Sequence, residues 1–150
     1  MFYRYTQDPE LKKILDATVA DLLSTQRANG SISCSEIDKQ PDGPGGDLWE
    51  RKYVLLALNQ YYTNVNKDPK VLQSMIDQAN CIISQVGDPP KTRITDLGWS
   101  PNHIESSTLL EPIMQLYTLT GNQNYLDFAK YIIKEGGAKG YNIIEMPVII

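Results

Sequence analysis

Gln60-Tyr61-Tyr62-Thr63 returns 55 residues later as Gln115-Leu116-Tyr117-Thr118, and Tyr5-Thr6 precedes the pair by a similar interval. Downstream of each copy lies a stretch with apolar residues at helical spacing. The later two stretches agree again, Ile76-Asp77 with Ala79, Ile82 and Ile83 against Leu126-Asp127 with Ala129, Ile132 and Ile133. The repeating unit is therefore a helix, a short turn and a second helix. A period near 55 residues is longer than that of tetratricopeptide, ankyrin or HEAT units and suits the hairpins of a closed ring of helix pairs.

The second helix of each unit is one-sided. Asp8-Pro9 provides an N-cap with Pro in the first turn, and Leu11, Ile14, Leu15, Val19, Leu22 and Leu23 follow at helical spacing until Asn29-Gly30. Asp68-Pro69 opens the next in the same way, with Val71, Met75, Ile76, Ala79, Ile82, Ile83 and Val86 facing inward and Gly87 before Pro89-Pro90 ending it. A third runs over about residues 122–135. The first helix of each unit differs: Tyr53 to Leu58, and Leu109-Leu110 through Tyr117, are apolar nearly all round, the pattern of a helix enclosed by protein. Asp47 with Glu50 reads as a reciprocal capping box for one of these, His103 or a neighbour opens the other, and Pro112 is expected to bend that helix or free a backbone carbonyl in it. The expected fold is all-α, with helical hairpins forming about half of an (α/α)6 toroid of buried inner and amphipathic outer helices.

Tyr5-Thr6 stands where an inner helix should be ending, and the apolar segment 141–150 stands where the next should be entered. Residues 1–150 are thus expected to form a partial toroid domain truncated at both ends, with open edges through which the chain self-associates. A formal charge of −4 and the lack of a Lys/Arg cluster argue against nucleic acid or an anionic membrane as partner. No apolar run reaches the roughly 20 residues of a membrane span, and Met1-Phe2-Tyr3-Arg4 lacks the order of a signal peptide. The cellular compartment stays open. Cys34 and Cys81 lie in unlike contexts, so no disulfide is inferred.

The connections from outer to inner helices, residues 27–46 and 87–103, are long, whereas the inner-to-outer turns are short. Long loops gathered on one rim of a rigid scaffold are where binding residues concentrate. That rim offers Asp47, Trp49, Glu50 and Lys52 from one inner helix and Trp99, His103, Glu105 and Ser106 from the next. An indole beside carboxylates is a sugar-binding combination, because the ring covers the C–H face of a pyranose or furanose. Each residue also has a local reading: Asp47, Glu50 and Glu105 as helix-start carboxylates, Trp49 as packing, His103 as a cap. Gly43-Pro44-Gly45-Gly46 is no phosphate loop, since Asp47 would repel the anion and no Lys-Ser/Thr follows. Two separated cysteines and a single histidine make no metal site.

At these residues a family likeness appears. Asp47-Leu48-Trp49-Glu50-Arg51-Lys52-Tyr53, the Tyr-Tyr-Thr turn at 61–63, Glu105-Ser106-Ser107 with Leu110-Glu111-Pro112, and the stretch from Leu116 through Gly121 to Tyr125-Leu126-Asp127-Phe128-Ala129 resemble the catalytic toroid of the β-L-arabinofuranosidase family, glycoside hydrolase family 127. The resemblance implies a zinc-bound cysteine nucleophile and a glutamate acid/base on later hairpins, neither with a counterpart in this chain, so no catalytic residue and no cofactor are expected here. It also places Lys52 and Ser106 where the family carries sugar-contacting histidines, with His103 close by. The expected substrate-binding set is Asp47, Trp49, Lys52, His103, Glu105 and Ser106, with a carbohydrate as partner. A glycosidase piece inactive alone leads. A sugar epimerase or lyase on the same scaffold, and a non-catalytic helical-repeat interaction module, stay open as alternatives.

Overall fold

In the computed structural model, which describes residues 2–40, 47–143 and 145, the chain forms α1 (Phe2–Thr6), α2 (Pro9–Ser24), α3 (Leu48–Asn64), α4 (Pro69–Gln85), α5 (Ile104–Ser107), α6 (Leu110–Thr120) and α7 (Gln123–Lys134). A two-stranded antiparallel hairpin, β1 (Gly137–Ala138) and β2 (Tyr141–Asn142), follows. Asp8 and Asp68 cap α2 and α4 through their side chains with Pro at the start of each, as the sequence leads one to expect, and the Asn122 side chain caps α7.

The helix pairs are real and equivalent. α3 packs against α4 and α6 against α7, and α3 also touches α6. Thr63 donates to the Asn59 carbonyl at 2.7 Å and Thr118 to the Met114 carbonyl at 3.0 Å, the same four-residue back-bond in both copies. Gln73 donates to Asp77 and Gln123 to Asp127 at 2.8 and 2.9 Å, a second equivalence on the outer helices. Val71, Met75, Ala79 and Ile82 of α4 and Tyr125, Phe128, Ala129 and Ile132 of α7 enter one core with Leu55, Leu58, Ile113 and Leu116 of the inner helices. Tyr125 also donates to Asn80 across the two outer helices.

Several expectations need correction. The helix opening near His103 is not continuous: α5 ends at Ser107, and Thr108 and Leu109 make tight i→i−3 bonds to Glu105 and Ser106 before α6 begins. Pro112 is the reason. Its ring would meet the carbonyl four residues back, at Thr108, so the break falls there and Pro112 sits in the first turn of α6, where a missing N–H costs nothing. The capping box is absent as well. Asp47 makes no side-chain cap bond, and Glu50 accepts from the Cys34 N–H instead. α2 stops at Ser24 rather than at Asn29-Gly30, where Ser24 and Thr25 hydroxyls bond back to the carbonyls of Asp21 and Leu22. Ile14 and Ile133, assigned inward, are exposed. Tyr141-Asn142 forms a strand, because Gly136, Gly137 and Gly140 at φ 80, 83 and 86 allow a tight hairpin; the segment 146–150, the rest of the expected next helix, lies outside the described residues, as does the Gly43–Gly46 stretch.

The edge formed by α1, α2 and α3 is less complete than the rest. α2 has no fully buried residue, Tyr53 and Ala57 of α3 are exposed, and an apolar groove of about 330 Å³ runs between them, lined by Leu11, Leu15, Val19, Leu58 and Tyr61 among others. Tyr61 donates to Asp16 at 2.7 Å, and Lys12 pairs with the same carboxylate at 2.6 Å, which ties α2 to α3 despite the thin apolar contact.

The first long loop is held by polar groups. Gln78, fully buried on α4, accepts from the Ile32 N–H and donates to the Ile32 carbonyl, pairing with the loop backbone as a strand would. Gly30 at φ 88 lies against the Asp77 carbonyl, where a Cβ would stand 2.5 Å from the oxygen. Gly30→Ala is therefore expected to lower stability by about 1–3 kcal/mol, measured as a shift in the urea midpoint at constant slope.

Candidate functional site

The rim at the start of the inner helices is built on one buried ion pair. Asp47 and Arg51 are one helical turn apart on α3, with Oδ2 and Nη1 3.6 Å from each other and neither side chain exposed. Arg51 Nη1 also donates to Gln85 of α4 at 2.8 Å, and Asp47 Oδ2 accepts from the Ser33 hydroxyl at 3.0 Å. Asp47 Oδ1 and Arg51 Nε and Nη2 have no hydrogen-bond partner among the described residues. Burial pushes the Asp47 carboxyl above its usual range in spite of Arg51 and Ser33, and burial likewise pulls Arg51 down. The thiol of Cys81, buried beside Arg51, is raised by the same loss of water. Asp47 is thus a structural carboxylate inside the scaffold.

Glu105 is similarly occupied. Its Oε1 accepts from the Trp99 and Ser100 N–H groups at 2.5 and 2.8 Å, and its Oε2 accepts from the Ser100 hydroxyl. Burial works to raise its pKa, but these hydrogen bonds outweigh it and hold the carboxyl below its ordinary value of 4.5. Gly98, at φ 142, lets the loop pass so close that a Cβ there would stand 2.5 Å from Oε1. Ser106 is buried and donates to the Leu97 carbonyl at 2.6 Å. His103 takes a left-handed conformation, φ 52, just before α5, and its Nδ1 lies 3.1 Å from the Thr95 carbonyl; since a carbonyl only accepts, Nδ1 carries the proton. Glu105, Ser106 and His103 therefore fix the 95–106 loop.

What stays open to solvent is aromatic. Trp49 meets Tyr53, one turn further along α3, edge to face at 5.2 Å between centroids and 78°, and meets Trp99 of the second loop at 6.5 Å and 88°. Trp99 is 61% and Tyr53 50% exposed. Lys52 places its Nζ over both α3 rings, 3.9 Å from the Trp49 and 4.1 Å from the Tyr53 centroid. The rim thus unites Trp49 and Lys52 with Trp99, whose own backbone is anchored by Glu105. Tyr53 was hidden in the sequence inside an apolar run; its i,i+4 spacing from Trp49 is the signal that points to it. Among the described residues, no three or more His, Cys, Asp or Glu cluster as metal ligands.

The sequence profile of the β-L-arabinofuranosidase GH127 catalytic domain matches residues 1–146. The chain belongs to this family. Its fold is similar to that of a GH127 β-L-arabinofuranosidase from Geobacillus stearothermophilus T6, with a TM-score of 0.65 and 22% identity over 93% of this chain and 22% of that one. A second GH127 β-arabinofuranosidase, BT3674, is similar at a TM-score of 0.65 and 15% identity, over 89% of this chain and 22% of its own. No curated protein sequence matches. The chain spans about a fifth of the length of these solved relatives, and the likeness to them is one of fold.

Two outcomes test this account of the rim. Arg51→Leu, which strands a buried carboxylate, is expected to cost about 3–5 kcal/mol in urea unfolding, and the double variant Asp47→Leu with Arg51→Leu to recover most of that loss. Glu105, with its folded pKa depressed, contributes stability that is present above 4.5 and lost as pH falls through the lowered value. Tryptophan emission is expected to change below pH 4.5 as the Trp99 loop is released, whereas Glu105→Gln should show the altered emission already at pH 7.

Proposed function

We infer that this chain supplies one rim of a glycan-binding cleft in a glycoside hydrolase of the β-L-arabinofuranosidase type and does not itself carry the groups that break the bond. The observation that supports this reading is the division of labour at the rim. Trp99 stays largely exposed for the C–H surface of a sugar, while the carboxylates of Asp47 and Glu105 are committed to Arg51, Ser33 and the 99–100 backbone. Glycoside hydrolysis requires two opposed carboxyl groups, or a nucleophile and an acid, that reach the same glycosidic oxygen and anomeric carbon. Asp47 is buried and ion-paired, and Glu105, held ionised by its hydrogen bonds, is a poor general acid. Family membership supports the reaction type, and sugar stacking on exposed indole supports the role of the rim.

The test is direct. The purified 150-residue chain is expected to release no aryl alcohol from aryl arabinofuranosides above the uncatalysed rate. Turnover that disappears on Glu105→Gln or Asp47→Asn would overturn this reading and make a rim carboxylate the catalyst.

A further inference from the structure

α2 and α4 open on the same cap, and aligning Asp8-Pro9 with Asp68-Pro69 sets Leu11, Leu15, Val19 and Leu22 on Val71, Met75, Ala79 and Ile82. Those four residues of α4 are buried, and no residue of α2 is. The difference lies in the inner helices that each outer helix meets, since α4 packs on both α3 and α6 whereas the inner helix packed on α2 is α3. The inner helices show the same contrast. Pro112 of α6 is buried, while Ala57, its counterpart on α3 when Gln60 is aligned with Gln115, is exposed. α1 shows which kind of element belongs on this face. Its Thr6 hydroxyl donates to the Phe2 carbonyl at 3.3 Å, as Thr63 donates to Asn59 and Thr118 to Met114, so α1 has the form of the last turn of an inner helix. Phe2, Tyr3 and Arg4 of that turn form one lip of the apolar groove, and Leu11, Leu15, Val19 and Leu22 with Ala57 form its walls.

We propose that the groove between α2 and α3 is a docking site for a helix of the inner type, apolar nearly all round and presented by a second polypeptide. It packs on α2 and α3 as α3 packs on α4 and α6, and so covers the stripe that α4 buries and α2 does not. From Leu11 to Leu22 that stripe runs about 16 Å, roughly three helical turns, which sets the length of the occupant. Another copy of this chain does not supply the helix, because α3 and α6, its inner helices among the described residues, are already held between other helices. A small apolar molecule could fill the groove but would leave Tyr5 and Ile14, 88% and 62% exposed on the same edge, in water. The inference stands on packing alone and is independent of the glycan-binding role of the rim.

The probe is a fluorescein-labelled peptide of residues 48–58, the part of α3 that precedes the counterpart of α1, titrated with the 150-residue chain and read by fluorescence anisotropy. The expected result is saturable binding, at least about tenfold tighter than that of a scrambled peptide of the same composition, and its loss when Leu55→Pro breaks the helix of the peptide. Ala57→Glu in the chain puts a charge on the exposed groove wall and should weaken the peptide at least about tenfold while the helical circular dichroism of the chain is kept. If Ala57→Glu loses that signal, Thr18→Glu, an exposed position of α2 on the same groove, takes its place. Absence of binding overturns the proposal, as do equal binding of the native and scrambled peptides and tight binding that neither groove variant weakens. Sedimentation of the chain alone supplies the remaining outcome: a dimer that Ala57→Glu dissociates and the peptide does not displace makes a second copy the occupant and overturns the proposal. None of these failures touches the sugar-binding reading of the rim, which the groove variants leave unaltered.

Discussion

Arg51 has no exposed surface, and its guanidinium reaches Asp47 on its own helix, Gln85 on the neighbouring one and the thiol of Cys81. Through Asp47 the same charge extends to Ser33 in the first long loop. One buried cation therefore fixes the start of α3, its packing on α4 and the path of the loop that leads to it. Such a pair is a costly device, because two charges have left water and three of their polar atoms lack partners. Its geometric consequence is specific: with Asp47 and Arg51 locked inward, Trp49 in the intervening turn and Lys52 just after it lie along the rim.

The rim follows a consistent logic. Every acidic side chain placed there by the sequence is consumed by the scaffold, Asp47 by Arg51 and Ser33, Glu50 by the Cys34 backbone, and Glu105 by the 99–100 loop. The groups left over are indole and phenol faces and one ammonium. Carboxylates accept strong, short hydrogen bonds and so organise loops well, while exposed aromatic faces have no polar demand on the protein and stay free for a ligand. Gly98 belongs to the same arrangement, since only a residue without a Cβ lets the loop carrying Trp99 fold back onto Glu105.

The helix pairs show how far repetition extends into the physics. Equivalent threonines bond back to the carbonyls four residues before them on α3 and α6, and equivalent Gln–Asp pairs brace α4 and α7. The second inner helix departs from the first because Pro112 cannot follow Thr108 in an unbroken helix, and the resulting break gives α5 its own short turn carrying Glu105 and Ser106. On the α1–α2–α3 edge the apolar groove and the exposed Tyr53, Ala57 and Ile14 mark where the layered packing thins.

How much of this was legible beforehand follows from the range of the forces involved. The helix pairing, the two Asp-Pro caps and the rim that gathers Trp49, Lys52, Trp99 and Glu105 could be read from the sequence, because helical periodicity, Asp-Pro caps and loop length are local properties. The sequence by itself also marked Pro112, although not that its effect would be a break in place of a bend. Tertiary structure alone decided the roles of the charged residues. Asp47 and Glu50, three apart, have the spacing of a capping box, but a buried arginine one turn on and a loop N–H sixteen residues back offered them better partners. Whether a carboxylate caps a helix, locks a loop or faces a ligand depends on which donors the fold brings within hydrogen-bond reach, and that is a property of the packed chain.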